Sequence, residues 1–190
     1  MQQSLLAPRA VWLATALVAV GRHRFLTARQ VGALVGVPFA EVAVVLDALA
    51  AERMLTRLRP TQMLGGPEPD AAYALTRRGA GLVARATGSE APSVPSGRKS
   101  LYMLAHELAL NELAIVLEVL HAKQRLRLLR WETAREKIAA SAHLLERHGS
   151  RRVPLVADAL AVVESDGKTN ALLVEIDRGK IGRASCRERV

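Results

Sequence analysis

Residues 26–58 read LTARQVGALVGVPFAEVAVVLDALAAERMLTRL, and the way this stretch breaks into pieces decides the fold. Leu26-Thr27 leads into a short helical run over 28–34, for which Thr27 is a good N-cap because a hydroxyl can accept from the first-turn N–H groups. Gly36 breaks that helix. Pro38 then stands where a first-turn proline is tolerated and opens a longer helix reaching about residue 52. A short helix, a glycine-containing turn and a second helix make a helix–turn–helix pattern.

Working outward, residues 8–21 have the apolar spacing of a buried helix, ended at Gly21 and followed by the basic patch Arg22-His23-Arg24. Downstream, residues 55–59 alternate like a strand, and a Pro/Gly-rich stretch over 60–70 separates them from a second strand over 71–76. Such a hairpin is a wing. The segment Tyr73-Ala-Leu75-Thr76-Arg77-Arg78-Gly79 resembles one common after the hairpin of winged-helix proteins, and it leads into a closing helix to about residue 86. The order of elements predicts a winged helix–turn–helix domain over residues 1–88. The apolar run 10–20 is too short to span a bilayer, follows a single upstream charge, Arg9, and precedes no clean cleavage site. The expectation is a cytoplasmic protein with no membrane partner.

The chain has 190 residues, 50% hydrophobic and 24% charged, which is a globular composition. Aromatics are only 3%, so the core must be built from Leu, Val and Ala. A net charge of +9 favours a polyanionic partner. A helix that reads base edges carries polar or basic side chains. Here helical spacing gives Val42, Val45, Leu46 and Leu49 to the core and leaves Ala40, Glu41, Ala43, Val44 and Asp47 outside. That face is a poor reader of sequence. Positive charge lies instead at Arg57 and Arg59 on the wing, Arg77 and Arg78 at the last helix, and Arg22, Arg24 and Arg29 around the first turn. These suit phosphate contacts with double-stranded DNA, which give salt-sensitive affinity and little sequence information. Two other readings remain: a solvated Arg-rich surface, and an apolar face (Ala40, Ala43, Val44) that pairs with a protein partner or a second copy in a homodimer.

Residues 89–98 read as an exposed linker rich in Gly, Ser and Pro, before a second domain over 99–180. That domain opens with a long helix over 100–123, on which Glu107, Asn111 and Glu118 share a stripe and His106 lies beside it. A strand over 125–133, a helix over 136–147 and a basic loop over 147–152 follow. The clearest piece is a hairpin of strands 157–164 and 171–177 joined by a turn over 165–170. Alternation puts Leu173, Glu175 and Asp177 on one face and Leu172, Val174 and Ile176 on the other. Folding about Gly167 or Lys168 brings Asp158 opposite residue 176 or 177. Asp158, Glu175 and Asp177 then converge, and converging carboxylates need a cation. Asp158 and Glu175 are the candidate metal ligands, Mg²⁺ the hard cation they suit, and all three the candidate catalytic set. The alternative is pairing of Glu175 or Asp177 with Arg178 or Arg130.

The last ten residues, 181–190, translate back to ATC GGA AGA GCG TCG TGT AGG GAA AGA GTG, a common sequencing-adapter string. They are expected to be an artefact, which makes the second domain a truncated fragment. Cys186, the only cysteine, falls within them, and removing Arg183, Arg187, Arg189 and Glu188 lowers the net charge from +9 to +7.

Two segments carry a family resemblance: Leu104-Ala-His-Glu-Leu-Ala-Leu-Asn-Glu-Leu113, and Asp158-Ala-Leu followed by Glu175-Ile-Asp-Arg-Gly179. With the N-terminal pattern, the chain resembles the replication-relaxation family of plasmid- and mobile-element-borne proteins over residues 8–180. Family members usually show Pro-Asp-Ala where this chain has Ala157-Asp158-Ala159. The resemblance implies a role in replication, copy control or transfer of mobile DNA, beside replication or mobilisation proteins. The same order of helix, strand and hairpin resembles a restriction-endonuclease-like core, in which an Asp is followed by Glu-x-Lys. Asp158 and Glu175 match, Glu107 is a helix contribution, and Asp177 stands where the lysine belongs. Without that lysine, the group that activates the attacking water is missing, so catalysis is not the first expectation; a metal-dependent nuclease and a protein-interaction adaptor stand as alternatives. The predicted class is α+β, a winged helix–turn–helix followed by a truncated helix-plus-hairpin domain like a nuclease core.

Overall fold

The computed structural model describes residues 6–59, 70–95, 101–133, 145–148, 151–154 and 157–176; the tail 181–190 lies outside them. The first helix, α1 (Leu6–His23), runs past Gly21, where the sequence predicts its end. Gly21 is needed for closeness rather than termination, since a Cβ there would come within 3.0 Å of Leu75 and Pro92. The chain leaves the helix at Arg24, which takes a left-handed φ of 66°. A two-residue strand, β1 (Leu26–Thr27), follows.

Helix α2 (Ala28–Val35) is capped as predicted by Thr27, whose hydroxyl accepts from the Gln30 N–H while the Gln30 side chain accepts from the Thr27 N–H. Gly36 closes it at φ 70°, its N–H donating to the Gly32 carbonyl. Helix α3 (Phe39–Ala51) starts one residue later than expected, with Pro38 in the capping position, and is turned 115° from α2. Strands β2 (Leu55–Leu58) and β3 (Ala72–Leu75) pair antiparallel from Leu55↔Leu75 to Leu58↔Ala72, and β1 pairs with the other side of β3. Helix α4 (Arg77–Thr87) begins at the cap Thr76 and ends at Gly88 in the left-handed region.

Val20, Leu26, Val31, Val42, Leu46, Leu49, Leu55, Leu75 and Val83 form one buried cluster, which matches the predicted core stripe of α3 except that Val45 is half-buried. Ala43, predicted to face outward, packs against this cluster. The cluster also takes Ile115 from α5 (Leu101–Ala122), while Leu104 of α5 joins Phe25, Ala72 and Ala74 in a neighbouring one. The long helix therefore helps to fill the core of the elements before it.

The remaining sheet has the order β4 (Arg127–Thr133), β7 (Ala159–Ser165), β8 (Lys168–Val174), all antiparallel. Leu117 of α5 packs on Ala161 and Val163 of its central strand. A separate pair, β5 (Leu145–His148) and β6 (Arg151–Pro154), corrects two expectations. The end of the predicted 136–147 helix is strand, and the predicted basic loop 147–152 contributes Arg147↔Arg152 and His148↔Arg151 to a ladder. Cross-strand pairing there overrides a weak helical spacing; the start of that helix, 136–144, lies outside the described residues. The expected six-residue turn shrinks to Asp166-Gly167, both at positive φ (52° and 72°), with Ser165 pairing Lys168. Two such residues match the right-handed twist of the strands they join. The architecture is α+β, with five helices and two three-stranded antiparallel sheets among the described residues.

Candidate nucleic-acid interface and acidic site

Packing divides the seven arginines predicted to contact phosphate. Around the first turn they are held. Arg22 spans Glu118 of α5, with Nη2 3.0 Å from Oε1 and Nη1 3.4 Å from Oε2. The nearly buried His23 side chain lies 3.5 Å from the same carboxylate. Burial pulls the Glu118 pKa up, but the histidine hydrogen bond and the charges of His23 and Arg22 outweigh it and hold it below the ordinary 4.5. Arg24 is half-buried and lies over the Phe25 ring, 5.6 Å from its centre. Arg29 donates to Asp70 at 2.6 Å and covers the Phe39 ring at 4.6 Å.

The predicted stripe on α5 faces these residues. Asn111, buried, donates to the Phe25 carbonyl at 2.7 Å and the His23 carbonyl at 3.1 Å. The asparagine thereby ties α5 to the chain as it leaves α1, where the His23 carbonyl also accepts from the Phe25 N–H. Gln30 is buried beside it and donates to the Leu108 carbonyl and to Glu112, both at 2.9 Å. The stripe is thus a polar fastening between α5 and the elements before it.

On α3 the exposed residues are Phe39, Ala40, Glu41, Val44, Asp47, Ala48 and Ala51, with Val44 at 70%. Asp47 accepts from the Tyr73 hydroxyl at 2.8 Å and lies 3.5 Å from Arg57 Nε. Burial first, then the bond and charge of Asp47, push the Tyr73 pKa up to about 12, so its hydroxyl stays a donor. The outer face of α3 is left with no cation, amide or hydroxyl of its own.

A different set of arginines surrounds a cleft of about 730 Å³ at the base of the β2–β3 hairpin: Arg53, Arg57, Arg77 and Arg78, with Ala50, Leu55, Thr56 and Thr76. Arg53 was missed by sequence reasoning, because it falls between the predicted helix and strand and belongs to neither pattern. It holds a left-handed φ of 57°, and its carbonyl accepts from Thr76 Oγ1 at 2.7 Å. Thr76 Oγ1 also accepts from the Gly79 N–H. Gly79 is required here: a Cβ would stand 2.1 Å from the Met54 carbonyl oxygen. Tight packing at one glycine brings the start of α4 against the turn between α3 and β2. Arg59, exposed, lies at the edge of the described residues.

The acidic site is described in part. The pair Ala159↔Val174 continues toward Glu175, so Asp158 falls opposite 175, one step from the predicted 176 and two from 177. Its N–H donates to the Val174 carbonyl at 2.8 Å, and its Oδ2 accepts from the Ile176 N–H at 2.8 Å. His106 Nε2 of α5 lies 3.1 Å from the same oxygen, a pairing that the position of His106 beside the acidic stripe only hinted at. Glu175 is exposed, Arg130 is spent on Glu132, and Asp177 and Arg178 lie outside the described residues. Among the described residues no three His, Cys, Asp or Glu side chains come together to hold a metal ion. Asp158 Oδ2 thus has two partners within the fold.

Among the described residues no single helix is long and apolar enough to cross a membrane. The family model described as replication-relaxation matches residues 17–190. No curated protein and no solved structure matches the chain.

Proposed function

The chain belongs to the replication-relaxation family, and from that premise we propose that it docks on duplex DNA through backbone phosphates, without reading base sequence, in the replication, copy control or transfer of plasmid or mobile DNA. In this reading α1–α4 and β1–β3 are a winged helix–turn–helix. The observation that carries the proposal is the outer face of α3. A helix placed to enter a groove presents Ala40, Val44 and Ala48 with the carboxylates of Glu41 and Asp47, the second already engaged by Tyr73 and Arg57, so it offers base edges no donor. Arginines flank it instead, and guanidinium–phosphate contacts position a protein without specifying a site.

The test is fluorescence anisotropy of the full chain against two duplexes of unrelated sequence across a salt series. The expected outcome is equal affinity for both and a linear fall of log K with log salt, with a slope of about −0.9 for each phosphate neutralised. A preference for one duplex by more than about tenfold, roughly the discrimination of one good base contact, overturns phosphate-only docking. No binding at low salt overturns DNA docking altogether. The exposed apolar strip at Val44 then favours the second reading, an adaptor or homodimer that pairs through α3.

A further inference from the structure

The arginines around the cleft differ from the rest in having little to neutralise them. Arg57 has Asp47 at 3.5 Å, whereas Arg53, Arg77 and Arg78 have no acidic partner among the described residues. Cations gathered round a concavity repel one another until an anion enters. The cleft also faces the start of an eleven-residue helix. Thr76 satisfies the Gly79 N–H through its hydroxyl and the Ala80 N–H through its carbonyl. The N–H groups of Arg77 and Arg78 are left without an acceptor inside the helix, at its positive end. The walls are set before any ligand arrives: Gly79 abuts the Met54 carbonyl, Thr76 ties the Arg53 carbonyl, and Leu55 pairs with Leu75.

We propose that this cleft is a phosphate-binding site that seats the sugar–phosphate backbone of DNA, with Arg77 and Arg78 as its principal ligands and Arg53 and Arg57 as flanking ones; the identity of the occupant rests on the DNA reading above. Guanidinium groups match phosphate oxygens two bonds at a time, and the helix start adds main-chain donors of the kind that hold phosphates elsewhere. A cleft of about 730 Å³ is far larger than one phosphate. It opens along the exposed side of β2 at Thr56 and Arg57, which suits a strand running through rather than a small ion held in a closed box. The site lies where β2 begins and β3 ends, at the Leu55↔Leu75 end of the ladder rather than the Leu58↔Ala72 end. The duplex is thereby gripped at the base of the hairpin.

The experiment uses the full chain, a fluorescent duplex and inorganic pyrophosphate as a separate probe followed by calorimetry. The variant is Arg77→Gln/Arg78→Gln, at exposed positions that leave the Thr76 cap intact. The control, Arg22→Gln/Arg29→Gln, removes the same net charge from arginines already paired to Glu118 and Asp70. The cleft variant is expected to bind DNA on the order of tenfold more weakly, with a salt slope shallower by about 2, and to lose pyrophosphate binding. The control should stay close to the parent protein. A cleft variant matching the control on both probes overturns the site while DNA docking stands. A parent protein that binds pyrophosphate through Arg77 and Arg78 but binds no duplex keeps the site and overturns DNA as its occupant. Binding of neither probe overturns both.

Discussion

The arginines at the first turn and those at the base of the hairpin are alike in sequence and opposite in circumstance. Arg22, Arg24 and Arg29 lie against Glu118, the Phe25 ring, and Asp70 with the Phe39 ring. Arg53, Arg77 and Arg78 surround open space. Net charge counts both sets equally, but only the second holds cations that a ligand can engage without first displacing a partner. The first set is spent on folding because α5 and Asp70 bring carboxylates to it. The acids that pair with Arg22 and Arg29 are already subtracted in the net +9, so the two sets differ in accessibility rather than in charge.

That contrast can be broken most severely at Gly79. Gly79→Ala drives a methyl group into the Met54 carbonyl at 2.1 Å and must push α4 away from the turn between α3 and β2. A loss of about 3 kcal/mol in urea or thermal unfolding is expected, in the upper range for overpacking, with the cleft's affinity falling too. An unchanged midpoint would show that the helix start yields freely and that the cleft walls are not preset.

A middle-sized effect sharpens the held side. Glu118 is deprotonated more readily folded than unfolded, because its pKa is lowered in the native state. Its contribution is complete above the ordinary value of 4.5 and disappears as the pH falls through the lowered native value. Glu118→Gln should lower stability at neutral pH and remove part of the acid-induced loss, read from unfolding midpoints between pH 7 and the acid limit. Parallel pH curves for variant and parent would mean that His23 and Arg22 gain nothing from this carboxylate.

The smallest change moves one residue between the two sets. Asp47→Asn leaves an acceptor for the Tyr73 hydroxyl but frees Arg57 from its countercharge, a half-exposed pair worth little to stability. Duplex affinity should rise about threefold at low salt, the scale of one exposed ion pair, and the gain should vanish at high salt. Equal affinity at every salt concentration would place Arg57 outside the phosphate contacts.

The features legible in the sequence are those set by neighbours along the chain. Thr27 and Gly36 are legible because caps and left-handed turns involve residues a few positions apart. The carboxylate stripe on α5 was visible too, but its meaning was not. Asn111 answers carbonyls 86 and 88 positions away, and Glu118 answers Arg22 across 96. Spacing on one helix could not tell a fastening from a functional face. Arg53 was hidden for a related reason: its importance comes from α4 folding back beside it, through a contact fixed by a glycine 26 positions later. The hairpin register was one step out because the turn tightened to Asp166-Gly167.

Helix α5 has one further consequence. On one side it is pinned to α1 and α2 at Asn111, Glu118 and Glu112; on the other it bears on the sheet at Leu117 and through His106 to Asp158. Such a member works as a spar. In the docking proposed above, a pull at the hairpin base reaches the C-terminal sheet through this helix. The load path runs through the packed side chains of α5 rather than along the connection that precedes it. What such a pull delivers to the sheet is carried by one helix of 22 residues.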